Sequence, residues 1–131
     1  MKRVTFLIVF ALLGLLVAAP AVQAAPPTTG FSGHWEATDP ADGSDLDVFI
    51  FGGKNVQMLY TDDEATLACA GLDEQSWSSF LTGKVDGETL VSTMHWAKCG
   101  LMPSGSGFTI TWTLEGDVLT NDFGEVYARV P

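Results

Sequence analysis

The chain has 131 residues, with six Lys and Arg against sixteen Asp and Glu, and so a net charge of −10 at pH 7. That excess of negative charge repels phosphate backbones and anionic lipid headgroups, which argues against nucleic acid as a partner. Two cysteines in so short a chain leave room for one disulfide and one domain-sized core.

Lys2 and Arg3 precede an apolar stretch from Val4 to Ala19, followed by Pro20 and the small-residue run Val22-Gln23-Ala24. This is the order of a secretory signal peptide over residues 1–24, cleaved after Ala24. An uncleaved anchor is the alternative, since the apolar run approaches bilayer length. Cleavage leaves 107 residues with Lys54, Lys84, Lys98 and Arg129 as the only basic side chains, a net charge of −12. The expectation is a secreted, periplasmic or cell-envelope protein with no stable membrane association once processed. In such a compartment Cys69 and Cys99 most simply pair with each other. The closed loop is worth roughly 3 to 4 kcal/mol in the chain-entropy model.

Residues 25–30, rich in Pro and Thr, read as a spacer leading into a single domain over residues 31–131. A first strand runs from Phe31 to Thr38, and the stretch DPADGS (39–44) turns the chain. Leu46, Val48 and Ile50 then alternate with Asp45 and Asp47 in a second strand. After the glycine-rich turn FGGKN (51–55), Val56, Met58 and Tyr60 alternate through a third. Residues 61–75 read as a loop that includes a helical turn.

The fourth strand spans Trp77 to Val85, and Asp86-Gly87 is a strong hairpin signal because glycine supplies positive φ. A fifth strand, Glu88 to Ala97, leads to KCGLMPSGSG (98–107), read as a flexible loop. Phe108, Ile110, Trp112 and Leu114 share one face of the sixth strand, with threonines on the other. Val118 to Thr120 follows a turn at Glu115-Gly116-Asp117. After a second turn, at 121–124, Val126, Ala128 and Val130 share a face opposite Tyr127 and Arg129.

The pattern is all-β, with about eight short strands on hairpin-length loops. That suits an antiparallel meander closed into a small barrel, which protects its edges. A two-sheet sandwich is the alternative, and periodicity alone does not separate them.

Phe31-x-Gly33-x-Trp35 in the first strand and Arg129 near the end of the last resemble the calycins, the superfamily of lipocalins, fatty-acid-binding proteins and avidins. The resemblance implies an eight-stranded barrel in which Arg129 packs over Trp35 and seals the closed end, a structural role.

Recognisable catalytic patterns are missing: there is no G-x-S-x-G around Ser104 or Ser106 and no H-E-x-x-H. No phosphate-cradling loop is present, no cofactor is implied, and a non-enzyme is expected. The aspartates 39, 42, 45 and 47 do not follow calcium-loop spacing and read as amide-capping turn residues. His34 and His95 would make a poor zinc site even on neighbouring strands, so no metal is expected.

Aromatic residues carry more information. Tyr60, Met94, Trp96 and Trp112 form the candidate lining of an interior site for a small apolar molecule, with His95 and Ala97 on the opposite face of the fifth strand as the alternative to Met94 and Trp96. Phe49 and Phe51 make the second strand apolar on both faces and form a candidate interface. The leading expectation is therefore a binding protein for a small apolar ligand. One alternative is a protein-binding module such as a secreted protease inhibitor, and the other is an acidic envelope domain with no ligand.

Overall fold

The computed structural model describes residues 30–65, 69 and 76–131. The signal segment, all but Gly30 of the spacer, and most of the 66–75 stretch lie outside the described residues. Among the described residues, nine strands form a single antiparallel sheet: β1 (Gly33–Thr38), β2 (Asp45–Gly52), β3 (Asn55–Asp62), β4 (Trp77–Asp86), β5 (Thr89–Cys99), β6 (Met102–Gly105), β7 (Thr109–Glu115), β8 (Val118–Asn121) and β9 (Val126–Arg129). Eight of them close into a barrel. The meander β1-β2-β3-β4-β5-β7-β8-β9 returns on itself through pairing of Trp35 with Arg129 and of Glu36 with Ala128. Closure decides against the sandwich and leaves no long unpaired edge in the ring.

Period-two alternation builds the interior. Leu46, Val48 and Ile50 of β2, Val56, Met58 and Tyr60 of β3, and Ile110 and Trp112 of β7 all point inward and are buried. Trp112 has no exposed surface, and its indole N–H donates to Ser92 Oγ at 2.9 Å, which satisfies the one polar atom that burial would otherwise strand. The threonines of β7 face outward or sit half-buried between neighbours.

One end of the barrel is sealed. Phe31 is buried there, and its carbonyl accepts the Trp35 indole N–H at 2.8 Å. The Arg129 guanidinium lies over the Trp35 ring, 4.0 Å from its centroid. It donates to the carbonyls of Ser32 at 2.7 Å and Gly30 at 2.6 Å, and to the Asp117 carboxylate at 3.0 Å. Gly33 has φ of 140°, and a Cβ at that position would meet Arg129 Nη1 at 2.9 Å. The glycine is thus required by the arginine that closes the barrel beneath it.

Two turns and one loop differ from the sequence reading. The 51–55 turn is tighter than its glycine-rich composition suggests, because Gly52 pairs with Val56 and leaves only Gly53 to Asn55 between them. Gly52 makes this possible, as a Cβ there would lie 2.4 Å from the Asn55 carbonyl oxygen. The next hairpin is shifted by one residue. Asp86 pairs with Thr89, so Gly87 (φ 60°) and Glu88 form the turn in place of Asp86-Gly87.

The third difference is that 98–107 is not all loop. Met102–Gly105 forms β6, which pairs with Ala97–Cys99 across a register shift. Its unalternating burial, with all four residues exposed, hid it from periodicity.

The disulfide forms as expected between Cys69 and Cys99, with Cα atoms 5.6 Å apart. It joins the segment before β4 to the end of β5. Ala65, which packs with this bridge, accepts the Cys69 amide at 2.8 Å.

Candidate functional site

The open end of the barrel, opposite Trp35 and Arg129, carries an apolar cavity of about 340 Å³. Its wall is built by inward positions of successive strands: Tyr60 from β3, Trp77 from β4, Met94 and Ala97 from β5, and Ile110 from β7. Phe108 and Phe123 form its rim, their rings stacked at 5.6 Å, and Ser104 to Ser106 at the end of β6 border it. Two backbone bonds fasten that border: Met94 N–H to the Phe108 carbonyl at 2.7 Å and Gly107 N–H to the Met94 carbonyl at 2.8 Å.

Tyr60 belongs both to this wall and to a buried polar cluster. Its ring meets Trp77 edge-on at 5.0 Å, and its hydroxyl donates to the Glu125 carboxylate, 3.0 Å and 2.9 Å from the two oxygens. Glu125 also accepts from Asn121 Nδ2 at 2.6 Å and from the Tyr127 hydroxyl. Asn121 Oδ1 in turn accepts the amides of Phe123 and Glu125, each at 3.1 Å, so the β8–β9 turn holds the carboxylate in place. Burial, and after it the negative charge of Glu125, pushes the Tyr60 phenol far above its ordinary range. For Tyr127 burial again leads, with the neighbouring Tyr60 and Glu125 adding to it. Both phenols therefore stay protonated and serve as donors.

The predicted lining set is divided by the structure. Tyr60 and Met94 line the cavity. Trp112 is next to it but fully enclosed, 6.2 Å from Tyr60 centroid to centroid, and so belongs to the core. Trp96 points outward and is 40% exposed. The cause is a β-bulge: Phe80 pairs with Trp96 while the next residue, Leu81, pairs with Met94, so His95 is extra and the alternation of β5 reverses beyond it. Ala97 takes the inward place instead. Phe108 has the predicted parity, but it sits at the rim before β7 begins and is 51% exposed.

On the outer face, Phe49 stacks on His34 with centroids 4.1 Å apart, while Phe51 stands 56% exposed. Cross-strand pairing continues this row from Phe49 to Leu59, Phe80 and Trp96, with the Lys98 ammonium over the Trp96 ring at 5.2 Å. Strands β1 and β5 are not neighbours, so His34 and His95 do not meet. His34 Nε2 instead bonds Asp47 Oδ1 at 2.5 Å with Glu36 3.6 Å away, a surface trio of potential ligand atoms, and His95 bonds the Thr82 hydroxyl at 2.6 Å.

The acidic turn caps amides as read. Asp39 accepts from Ala41 at 2.7 Å and Asp42 from Ser44 at 3.0 Å. Hydrogen bonds from Ser44 hold the Asp42 carboxyl below its ordinary value, whereas burial raises that of Asp62.

The residues missed by sequence reasoning are Trp77, Ile110, Phe123 and the cluster around Glu125, while Ala97 belongs to the alternative pair that the fifth strand offered. A signal for Tyr127 was present: once Arg129 is placed over Trp35, the parity of the last strand turns Tyr127 inward and Val126 outward. The structure has Tyr127 fully buried and Val126 60% exposed. No protein-family model, curated protein or solved structure matches the chain.

Proposed function

We propose that the protein is an exported, calycin-like binding barrel that holds one small apolar molecule at its open end without transforming it. The observation that carries this reading is the cavity of about 340 Å³ walled by Tyr60, Trp77, Met94, Ala97 and Ile110. That size lies within the range of small-molecule sites, which combine mainly apolar walls with a few fixed polar groups. Export is supported by the N-terminal segment and by the disulfide. The calycin resemblance is supported by the barrel and by the Trp35–Arg129 stack at its closed end.

The test is titration with N-phenyl-1-naphthylamine, an uncharged probe that fluoresces in apolar surroundings. One saturable site is expected in the wild type, with at least tenfold weaker binding in Ala97→Trp, whose indole fills the cavity. A linear, unsaturable signal, or equal binding by both proteins, would overturn the reading.

A second reading, a protein-binding module, is favoured by one separate observation. The outer row Phe49, Leu59, Phe80 and Trp96, with Phe51 beside it, places large apolar side chains across four strands where a solvated barrel face is normally polar. Serine substitutions at Phe51 and Trp96 distinguish the two: they leave probe binding unchanged under the first reading and abolish capture of a partner under the second.

A further inference from the structure

Cavity walls made of hydrocarbon set a ligand's size, and the few polar groups among them set its chemistry. Here the residue common to the wall and the buried cluster is Tyr60, and its hydroxyl is the polar group it brings. A phenol carries one proton and acceptor lone pairs. The single proton of Tyr60 is committed to Glu125, whose two oxygens lie 3.0 Å and 2.9 Å from the phenol oxygen. What Tyr60 has left to offer is acceptor capacity. Glu125 itself takes bonds from Tyr60, Tyr127 and Asn121, so its oxygens serve as acceptors here.

Among the described residues, no lysine or arginine lines the cavity. Arg129 is engaged at the opposite end, and Lys98 lies on the outer face over Trp96. A second buried polar atom lies close by. Ser79 is paired in register with Tyr60 on one side and Ala97 on the other, both cavity residues, and its Oγ is buried with no hydrogen-bond partner. A lone hydroxyl of this kind costs stability unless something satisfies it.

From these placements we infer that the cavity selects apolar molecules ending in an uncharged or cationic head group that donates a hydrogen bond, a hydroxyl or an amine, and discriminates against carboxylates. The head group donates to a Tyr60 lone pair not taken by the neighbouring Tyr127, and a hydroxyl is also able to accept from Ser79. A carboxylate has no proton to give Tyr60 and meets the field of Glu125 with no compensating cation. This inference rests on the cavity being the binding site.

The experiment is displacement of N-phenyl-1-naphthylamine at pH 7.5 by decanol, decylamine and decanoate, which share one chain and differ in the head. Decanol and decylamine are expected to displace the probe at concentrations roughly tenfold or more below that of decanoate, the scale of one unpaired buried polar group. Tyr60→Phe, which keeps the ring but withdraws a donor from the buried Glu125, is expected to lower the melting temperature and to weaken decanol by about fivefold or more relative to the probe measured in the same variant. Glu125→Gln is expected to narrow the gap between decylamine and decanoate. Decanoate binding as tightly as decanol, or Tyr60→Phe leaving decanol binding intact, would overturn the inference while the binding site stood. Failure of the probe itself to bind would instead remove the site on which it rests.

Discussion

Replacing Arg129 tests the closed end of the barrel most sharply, because four interactions converge on one guanidinium whose side chain is only 11% exposed. The stack on Trp35 at 4.0 Å is largely desolvated and contributes about 2 kcal/mol. The bonds to Ser32 and Gly30 each bring a charged donor to a backbone carbonyl, for about 1.5 kcal/mol or more apiece. The contact with Asp117, an 81% exposed carboxylate, adds little. Because these contacts share one side chain they do not add fully, and Arg129→Ala is expected to cost about 3 kcal/mol, or roughly 12 °C in melting temperature for a domain of this size.

Arg129→Lys keeps the charge but loses the planar fork that stacks and reaches two carbonyls together, so it should cost about half as much. Gly33→Ala adds the dependence on geometry. Its new methyl meets Nη1 at 2.9 Å, so its cost should fall by about 1 kcal/mol in an Arg129→Ala background, with the remainder set by φ of 140°. Urea unfolding followed by circular dichroism compares the four variants with the wild type. A loss below about 1 kcal/mol for Arg129→Ala, or strict additivity with Gly33→Ala, would refute the account of the seal.

Other substitutions probe the rest of the wall. Opening the disulfide with Cys69→Ser and Cys99→Ser, whose sequence separation is 30, should cost about 3.6 kcal/mol in the chain-entropy model, read as a lower urea midpoint. Ser92→Ala strands the buried Trp112 indole N–H and should cost about 1 to 3 kcal/mol, with a shifted tryptophan emission maximum. Burial holds the Asp62 carboxyl above its ordinary 3.8, so the native state favours its neutral form. That preference stabilises the fold below the unfolded-state value and is lost as pH rises through the native one. Asp62→Asn should therefore match the wild type near pH 3 and exceed its urea midpoint at pH 7. Equal midpoints at both pH values would contradict the cause assigned to the shift.

Strand positions were legible in the sequence because the barrel has one buried face, which writes itself as alternation in Leu46-Val48-Ile50 and Ile110-Trp112-Leu114. Glycines at 33, 87 and 116 and the Trp35–Arg129 pair were legible for the same kind of reason, each being a local requirement. The bulge at Phe80 and Leu81 was not. It inserts one residue between strands far apart in sequence, so nothing near His95 announces that Trp96 turns outward. Strand β6 escaped because its pairing is with backbone alone and none of its side chains is buried. Glu125 escaped because a charged residue in a turn ordinarily reads as solvated. Only the approach of Tyr60, 65 positions away in the chain, makes it a buried acceptor.

The most direct test of a binding cavity at the open end uses its methionines as reporters. Of the four in the chain, Met94 lines the cavity, Met58 is sealed in the core and Met102 is exposed on β6. In protein labelled at the methionine methyl carbons, titration with decanol should move the Met94 resonance saturably while Met58 stays fixed. A Met94 signal that never moves, or one that shifts only in step with Met58 and Met102, would contradict the account.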